Sequence, residues 1–133
     1  MIVDISKQVF DAIQQSELAG KIYPVMALSE SATPTTPYIV YQRTGADFGY
    51  TKNLFDGSIK HYYTIGAYSD TFNKTVELAK DIVDGMLALA YTTPEGSGVT
   101  FKSIQVTDIS EDFLEGIFYQ TIQFEINTTE IQL

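Results

Sequence analysis

The 133-residue chain contains no cysteine, one histidine (His61) and one arginine (Arg43). The lack of cysteine excludes a disulfide scaffold, a thiolate metal site and cysteine catalysis. Basic residues are also scarce, because 8 Lys and Arg face 17 Asp and Glu, for a net charge of −9. That charge is opposite to the basic surface of a nucleic-acid-binding protein and would be repelled by an anionic membrane. No apolar run approaches the roughly 18 residues of a transmembrane helix, so we expect no membrane partner.

Signals for export and catalysis are missing as well. The first residues lack a basic segment followed by an apolar one, so we expect no secretory leader and a location in the cytoplasm of the cell that makes the protein. His61 has no serine in a Gly-x-Ser-x-Gly elbow to partner it, and we interpret it as structural or exposed. Gly96-Ser97-Gly98 lacks the lysine of a phosphate loop. We therefore expect no enzyme and no cofactor.

What is present is typical of one globular domain spanning residues 1–133. Hydrophobic residues make up 44% of the chain, with 9 Tyr and 8 Phe, which is enough for a core. Near the start, Asp4 is a candidate cap for a helix with apolar residues at three- and four-residue steps from Ile5 to Ile13. Gly20 is its candidate C-cap.

A second helix is predicted over 69–89, begun by Ser69 and Asp70. Its core-facing stripe is predicted to contain Phe72, Val76, Ala79, Val83 and Met86, widened by Ile82 and Leu87.

Strand composition and alternation predict four strands at 38–43, 61–68, 99–107 and 116–128, and a short extended piece at 21–25. The strand at 116–128 has the clearest alternation, with Phe118, Ile122, Phe124 and Ile126 on one face. Between the first two, residues 45–59 are too many for a tight hairpin, so we expect a long β-arm or a flexible loop.

This order predicts an α+β fold of two layers, written α-β-β-α-β-β. A mainly antiparallel four-stranded sheet carries both helices on one face, with the long arm between the first two strands.

Two acidic clusters are candidate cation sites. Glu77, Asp81 and Asp84 share one face of the second helix, but interleaved lysines favour a solvated surface with no metal. Asp108, Glu111, Asp112 and Glu115 crowd the predicted connection between the last two strands. They could bind a cation or a basic partner, yet acidic residues are also ordinary in solvated turns, which is the interpretation we favour.

Tyrosines on the predicted strands could stack nucleic-acid bases. Without basic residues alongside them such a platform binds poorly. Packing of the rings against one another, or at a subunit contact, explains them better.

Three segments together carry a resemblance to a known family. They are Lys21–Val25 with Thr36–Gln42, the strand and helix from His61 to Leu89, and the turn Asp112–Gly116 with the strand Ile117–Asn127. In these features the chain resembles the small tail-completion, or tail-terminator, proteins of long-tailed bacteriophages and prophages. Lys21 and Gln120 stand where such sequences often carry arginine.

The resemblance implies a structural protein with no catalytic activity and no cofactor. Such a protein forms a ring, a hexamer by expectation, on the end of the tail tube and presents a surface to the head connector protein. Its partners would be itself and the tail-tube protein, and DNA would pass through without specific binding. It would be assembled in the bacterial cytoplasm and reside in the virion tail or neck. The alternatives are a head–tail adaptor, another small virion protein, or a stand-alone binding module.

Candidate assembly contacts are aromatic and apolar residues of the arm and of the strand that follows it. We expect the arm to be mobile in a free subunit and to order on assembly, because its glycines loosen it while its apolar groups need a partner. The candidates are Tyr50, Leu54, Phe55, Tyr62 and Tyr63.

Overall fold

The structure, a computed structural model, describes residues 5–14, 21–24, 36–51 and 54–130. These form two helices and five strands. In chain order they are α1 (Ser6–Ala12), β1 (Ile22–Pro24), β2 (Tyr38–Thr51), β3 (Leu54–Ser69), α2 (Phe72–Ala88), β4 (Val99–Leu114) and β5 (Ile117–Glu130). The caps proposed for the first helix at Asp4 and Gly20 lie outside the described residues.

The strands form a single sheet with the order β1-β2-β3-β5-β4. The α+β fold is confirmed, with two helices and a mostly antiparallel sheet. The predicted number of four strands is wrong, since residues 22–24 pair in parallel with Ile39–Tyr41. A three-residue edge strand has too few positions to show alternation, so its pairing depends on contacts distant in sequence.

The core lies between the sheet and the helices. The alternation predicted for β5 is confirmed, because Ile122, Phe124 and Ile126 are all buried. Through strand pairing they lie beside Ile65 and Tyr63 of β3, on the face against which the helices pack. Burial of this face, in the two-layer arrangement that the order of elements predicts, provides the main stabilisation of the fold.

The predicted orientation of α2 is partly wrong. Its buried residues are Thr75, Leu78, Ala79, Ile82 and Met86. Phe72 and Val76 are each 43% exposed, and Leu87 is exposed too. Thr75 is buried despite its polar side chain because its hydroxyl donates to the carbonyl oxygen of Phe72 at 2.6 Å. The helix is therefore rotated, and one flank of its apolar surface stays open.

The start of α2 also differs from its prediction. Thr71, not Ser69 or Asp70, is the N-cap residue, and its side chain makes no capping bond. The Ser69 hydroxyl oxygen instead accepts a hydrogen bond from the Thr71 N–H at 3.3 Å.

Strand β4 is longer than the sequence indicates. Residues 108–114, predicted as a connection, continue the ladder with β5 from Asp108 opposite Gln123 to Leu114 opposite Ile117. The four carboxylates in and next to this segment are typical of a solvated turn. Pairing with β5 along the whole segment outweighs this local preference of the residues for a turn. The turn itself is Glu115 and Gly116, both with positive φ.

The last described β2–β3 pair, Thr51 with Leu54, and the β4–β5 turn lie at opposite ends of the sheet. Toward the first end, Ser58 of β3 pairs with Thr129, close to the end of β5. At the other end, Ser69 pairs with Phe118, next to the β4–β5 turn. Each molecule therefore has the end of the β2–β3 ribbon on one side and the β4–β5 turn on the opposite side.

Candidate functional site

Within residues 45–59, here called the arm, the described residues 45–51 and 54–59 form a paired β-ribbon rather than a loop. Phe48 pairs with Ile59, Tyr50 with Phe55 and Thr51 with Leu54. The six residue steps from Gly45 to Thr51 span about 20 Å at the usual rise of a strand. In the described ladder β5 accompanies β3 only from Ser58 onward, so the tip beyond it is a two-stranded ribbon. Ribbons of this kind are marginally stable alone, which is consistent with the prediction that the arm orders on assembly.

Two apolar side chains of the arm tip point into solvent. Tyr50 is 63% exposed and Leu54 is 73% exposed. Phe55 lies opposite Tyr50 in the ladder. Since Leu54 pairs with Thr51, the side chains of Tyr50 and Leu54 lie on opposite faces of the ribbon. Exposed apolar groups of this size are characteristic of a surface that binds another protein.

A compact polar turn shapes the returning strand of the arm. The Asp56 carboxylate accepts hydrogen bonds from the Ser58 hydroxyl at 2.6 Å and from its N–H at 2.9 Å. These bonds favour the ionised form and hold the pKa of Asp56 below its ordinary value. Gly49 lies against this pair, and a Cβ there would collide with the Ser58 hydroxyl. The glycine thus permits the strands of the arm to pack closely.

Tyr62 lies at the base of the arm, on the sheet face opposite the helices. Its hydroxyl donates to Asp47 at 2.7 Å, and this bond to a carboxylate raises the pKa of Tyr62. Because Asp47 is on β2 and Tyr62 on β3, the bond ties the two strands together at the base of the arm. Its tyrosine ring stays partly accessible.

Tyr63 does not join this surface. Its side chain is 1% exposed and belongs to the core, and its hydroxyl is 2.9 Å from the Ser6 hydroxyl of α1. Successive strand residues point to opposite faces, so Tyr62 and Tyr63 could not both be accessible. The sequence could not tell which of the two faces the helices cover.

Sequence reasoning missed an exposed apolar surface at the end of the sheet opposite the arm. We call it the seam; its members are Phe72, Val76, Ile109, Phe113 and Phe118. Phe113 is 53% exposed and Ile109 50% exposed. Phe118 is partly buried, with its ring 4.5 Å from that of Phe113 and 6.0 Å from that of Phe72. The available signal was the pair Ile109 and Phe113, which are four residues apart and therefore on one face of a strand, but the acidic residues around them obscured it.

A row of tyrosines crosses the open face of the sheet near the seam end. Tyr38, Tyr68 and Tyr119 are opposite one another on β2, β3 and β5. Their rings stack with centroids 4.7 and 5.3 Å apart. The Tyr119 hydroxyl donates to Asp112, which raises the pKa of Tyr119. As expected, these rings pack against one another, and such pairs stabilise a sheet by about 0.5–1.5 kcal/mol each.

His61 and the charged residues of α2 make local side-chain contacts. His61 is buried, and its Nε2 lies 3.1 Å from the Thr128 hydroxyl. On α2, Lys80 lies 3.4 Å from Asp84, and Lys74 lies 3.8 Å from Glu77, as predicted for a solvated helix face. Within the described ranges, no three His, Cys, Asp or Glu side chains are grouped in a way that could hold a metal ion. None of the helices in those ranges has the length and apolar character needed to cross a membrane.

Comparison with known proteins gives a likeness of fold. No family model matches the chain, and no curated protein matches it. Among solved structures, it is similar to a chain of the "Virion of native gene transfer agent (GTA) particle", with a TM-score of 0.62. The similarity covers 91% of each chain at 12% sequence identity. The chain thus has the fold of a protein found in that virion.

Proposed function

We propose that this chain is a structural protein of a phage-like particle. The observation that carries the proposal is the shared fold over 91% of both chains with a component of a gene transfer agent virion. The sequence resemblance to tail-completion proteins independently favours the same class. Two surfaces with exposed apolar side chains, the arm tip and the seam, are what an assembly protein requires.

Within that class, we propose that the chain forms a ring, a hexamer by expectation, that caps the tail tube and joins it to the head connector protein. Closed rings are built from heterologous contacts, in which two different patches of one subunit meet those of its neighbours. The arm tip and the seam are two such patches, and they lie at opposite ends of the sheet. We place its assembly in the host cytoplasm and its final position in the tail or neck.

The charge of the chain is compatible with a DNA passage. A lumen that conducts DNA must not bind phosphate strongly, and a chain of net charge −9 repels it. We therefore propose that DNA passes through the ring without specific binding, and that the chain acts without catalysis or a cofactor.

The ring is tested by sedimentation velocity and negative-stain microscopy of the purified protein over a series of salt concentrations. Raising the ionic strength to about 0.5 M shortens the Debye length to about 4 Å and weakens repulsion between acidic subunits. We expect the fraction of rings to rise with salt and with protein concentration. Rings that dissolve steadily as salt increases would show that ion pairs hold them together. A monomer under every condition would favour a stand-alone binding module instead.

A further inference from the structure

We propose that the sheet of each subunit continues into the sheet of the next. The outer edge of β4 in one copy pairs with the outer edge of β2, residues 42–47, in another copy, and Arg43 lies against Glu111. The inference rests on the proposed ring and deepens it, because it names the strands that join and the charges that select them.

The outer edge of β4 has backbone groups that can bind another strand. β4 lies at one side of the sheet, and its residues 107–114 are all exposed. The Phe113 N–H points away from β5, since it donates to the Asp112 carboxylate at 2.8 Å. Inward and outward backbone groups alternate along an antiparallel strand, and the ladder has no register shift between residues 108 and 114. The N–H groups of Glu111 and Ile109 therefore also point outward.

The outer edge of β2 becomes accessible where β1 ends. β1 pairs with Ile39–Tyr41, and among the described residues no strand lies beside β2 after that point. The Ile39 N–H points outward, since it donates to the Lys21 carbonyl oxygen at 3.0 Å. The same alternation makes Arg43 the first residue beyond β1 whose backbone groups point outward. A strand of another copy can thus continue beside β2 from the place where β1 stops.

The two edges match in direction and in face. β2, β3, β5 and β4 are successive antiparallel neighbours, so β4 runs opposite to β2. Rotation about a ring axis along the strands therefore brings β4 and the β2 of another copy together as an antiparallel pair. Arg43 and Glu111 both lie on the helix side of the sheet, because their partners Tyr63 and Gln120 are buried there. Pairing these two edges keeps the helices of every copy on one face, as a closed ring requires.

Charge favours β2, and not a second β4, as the strand that pairs with β4. Arg43 is the one arginine of the chain, and within the described ranges neither it nor Glu111 takes part in an ion pair. Two β4 edges would bring Glu111 and Asp108 of both copies together, and like charges on adjacent strands destabilise a sheet. The β2 edge instead offers Arg43, and its carboxylate at Asp47 already accepts a hydrogen bond from Tyr62.

The test exchanges the two charges between full-length variants. Arg43→Glu and Glu111→Arg each place like charges at every contact of a ring. In an equal mixture, alternating copies bring opposite charges together again at every contact. The matched controls Lys80→Glu and Asp84→Lys make the same changes of net charge on the exposed surface of α2. Circular dichroism melts verify that each variant folds.

A second pair of variants tests the backbone pairing. Ile109→Pro removes an outward N–H that β5 does not use, and proline is tolerated at such positions of an edge strand. Ile109→Thr is its control, since it shortens the same side chain and keeps the N–H. We expect rings from the threonine variant and none from the proline variant.

Sedimentation velocity at the lowest salt concentration where the wild type and the controls form rings measures the association. We expect each charge variant alone to need about fivefold more protein, or a larger excess, than its control for half assembly. The equal mixture should assemble at the concentration of the wild type, into rings that contain both variants in equal number.

The other outcomes overturn the inference. Rings that form equally well in either charge variant, or in the folded Ile109→Pro variant, would overturn the β2–β4 contact and leave the proposed ring intact. A mixture that assembles no better than its components would show that Arg43 and Glu111 do not meet. A wild type that never associates would overturn the inference together with the proposed ring.

Discussion

Replacing Phe124 with alanine is expected to lower the free energy of unfolding by about 3–5 kcal/mol. The Phe124 side chain is 1% exposed and lies in the middle of the core, opposite Tyr63 of β3 and Val106 of β4. Its removal leaves a cavity between the sheet and the helices that the surrounding strands cannot close. Because small domains are stable by about 5–15 kcal/mol, this loss threatens folding at ordinary temperatures.

The same substitution at Phe113 is the matched control. Phe113 is half exposed and its main contact is the ring of Phe118, so Phe113→Ala should cost about 1 kcal/mol or less. Urea unfolding followed by circular dichroism measures both variants. Equal stabilities of the two variants would show that Phe124 does not occupy the core position described here.

Replacing Gly85 with alanine is expected to destabilise the protein by about 1–3 kcal/mol. On an isolated helix the same change would stabilise by about 1 kcal/mol, because alanine has the higher helix propensity. In this fold the end of α1 crosses α2 at Gly85, and a Cβ there would collide with the backbone carbonyl oxygen of Ala12. A backbone atom cannot rotate away as a flexible side chain can, so α1 must shift as a whole.

Asp81→Ala controls for helix propensity. Asp81 is exposed on the same helix, so its replacement should change the free energy of unfolding by at most about 0.5 kcal/mol. If Gly85→Ala raised the melting temperature, the close crossing of α1 and α2 would be contradicted.

The sequence predicted the elements whose periodicity is long and consistent. From Thr121 to Asn127, β5 alternates between polar and apolar residues, and its buried face was identified correctly. On the strands that the sequence predicted, the apolar residues Ile39, Ile65, Ile104, Ile122 and Phe124 are buried, and Val106 is partly buried. The long arm was also expected, since residues 45–59 separate two strand signals by more than a tight turn allows.

The orientation of α2 and the pairing of the edge strands β1 and β4 could not be predicted from local sequence patterns. The apolar positions of α2 cover more than one face of the helix, so their periodicity predicts a helix but does not show which flank is buried. In the structure the flank of Leu78 and Ile82 is buried, and the flank of Phe72 and Val76 is exposed. The last half of β4 and the short β1 are strands because of partners distant in sequence. The need for glycine at position 85 comes from a neighbour on another helix, which the sequence around Gly85 does not show.

Of the proposed assembly residues, the arm positions were the most predictable. Tyr50 and Leu54 lie between Gly49 and Gly57, on a segment where the described ladder pairs β2 with β3 alone, and both are exposed. Tyr63 is a core residue because the helices cover its side of the sheet, which the sequence did not reveal. The seam could not be predicted before the rotation of α2 was known, because that rotation leaves Phe72 and Val76 open beside β4.

Adding the purified protein to growing tubes of the tail-tube protein encoded with it, and imaging them by negative-stain microscopy, tests the central claim most directly. We expect a ring at one end of each tube and an end to growth there. A variant in which Asn-Gly replaces residues 49–58 of the arm, and so joins the paired residues Phe48 and Ile59, should leave the tubes growing. Tubes that lengthen equally with and without the wild-type protein, and that carry no ring at either end, would contradict the account.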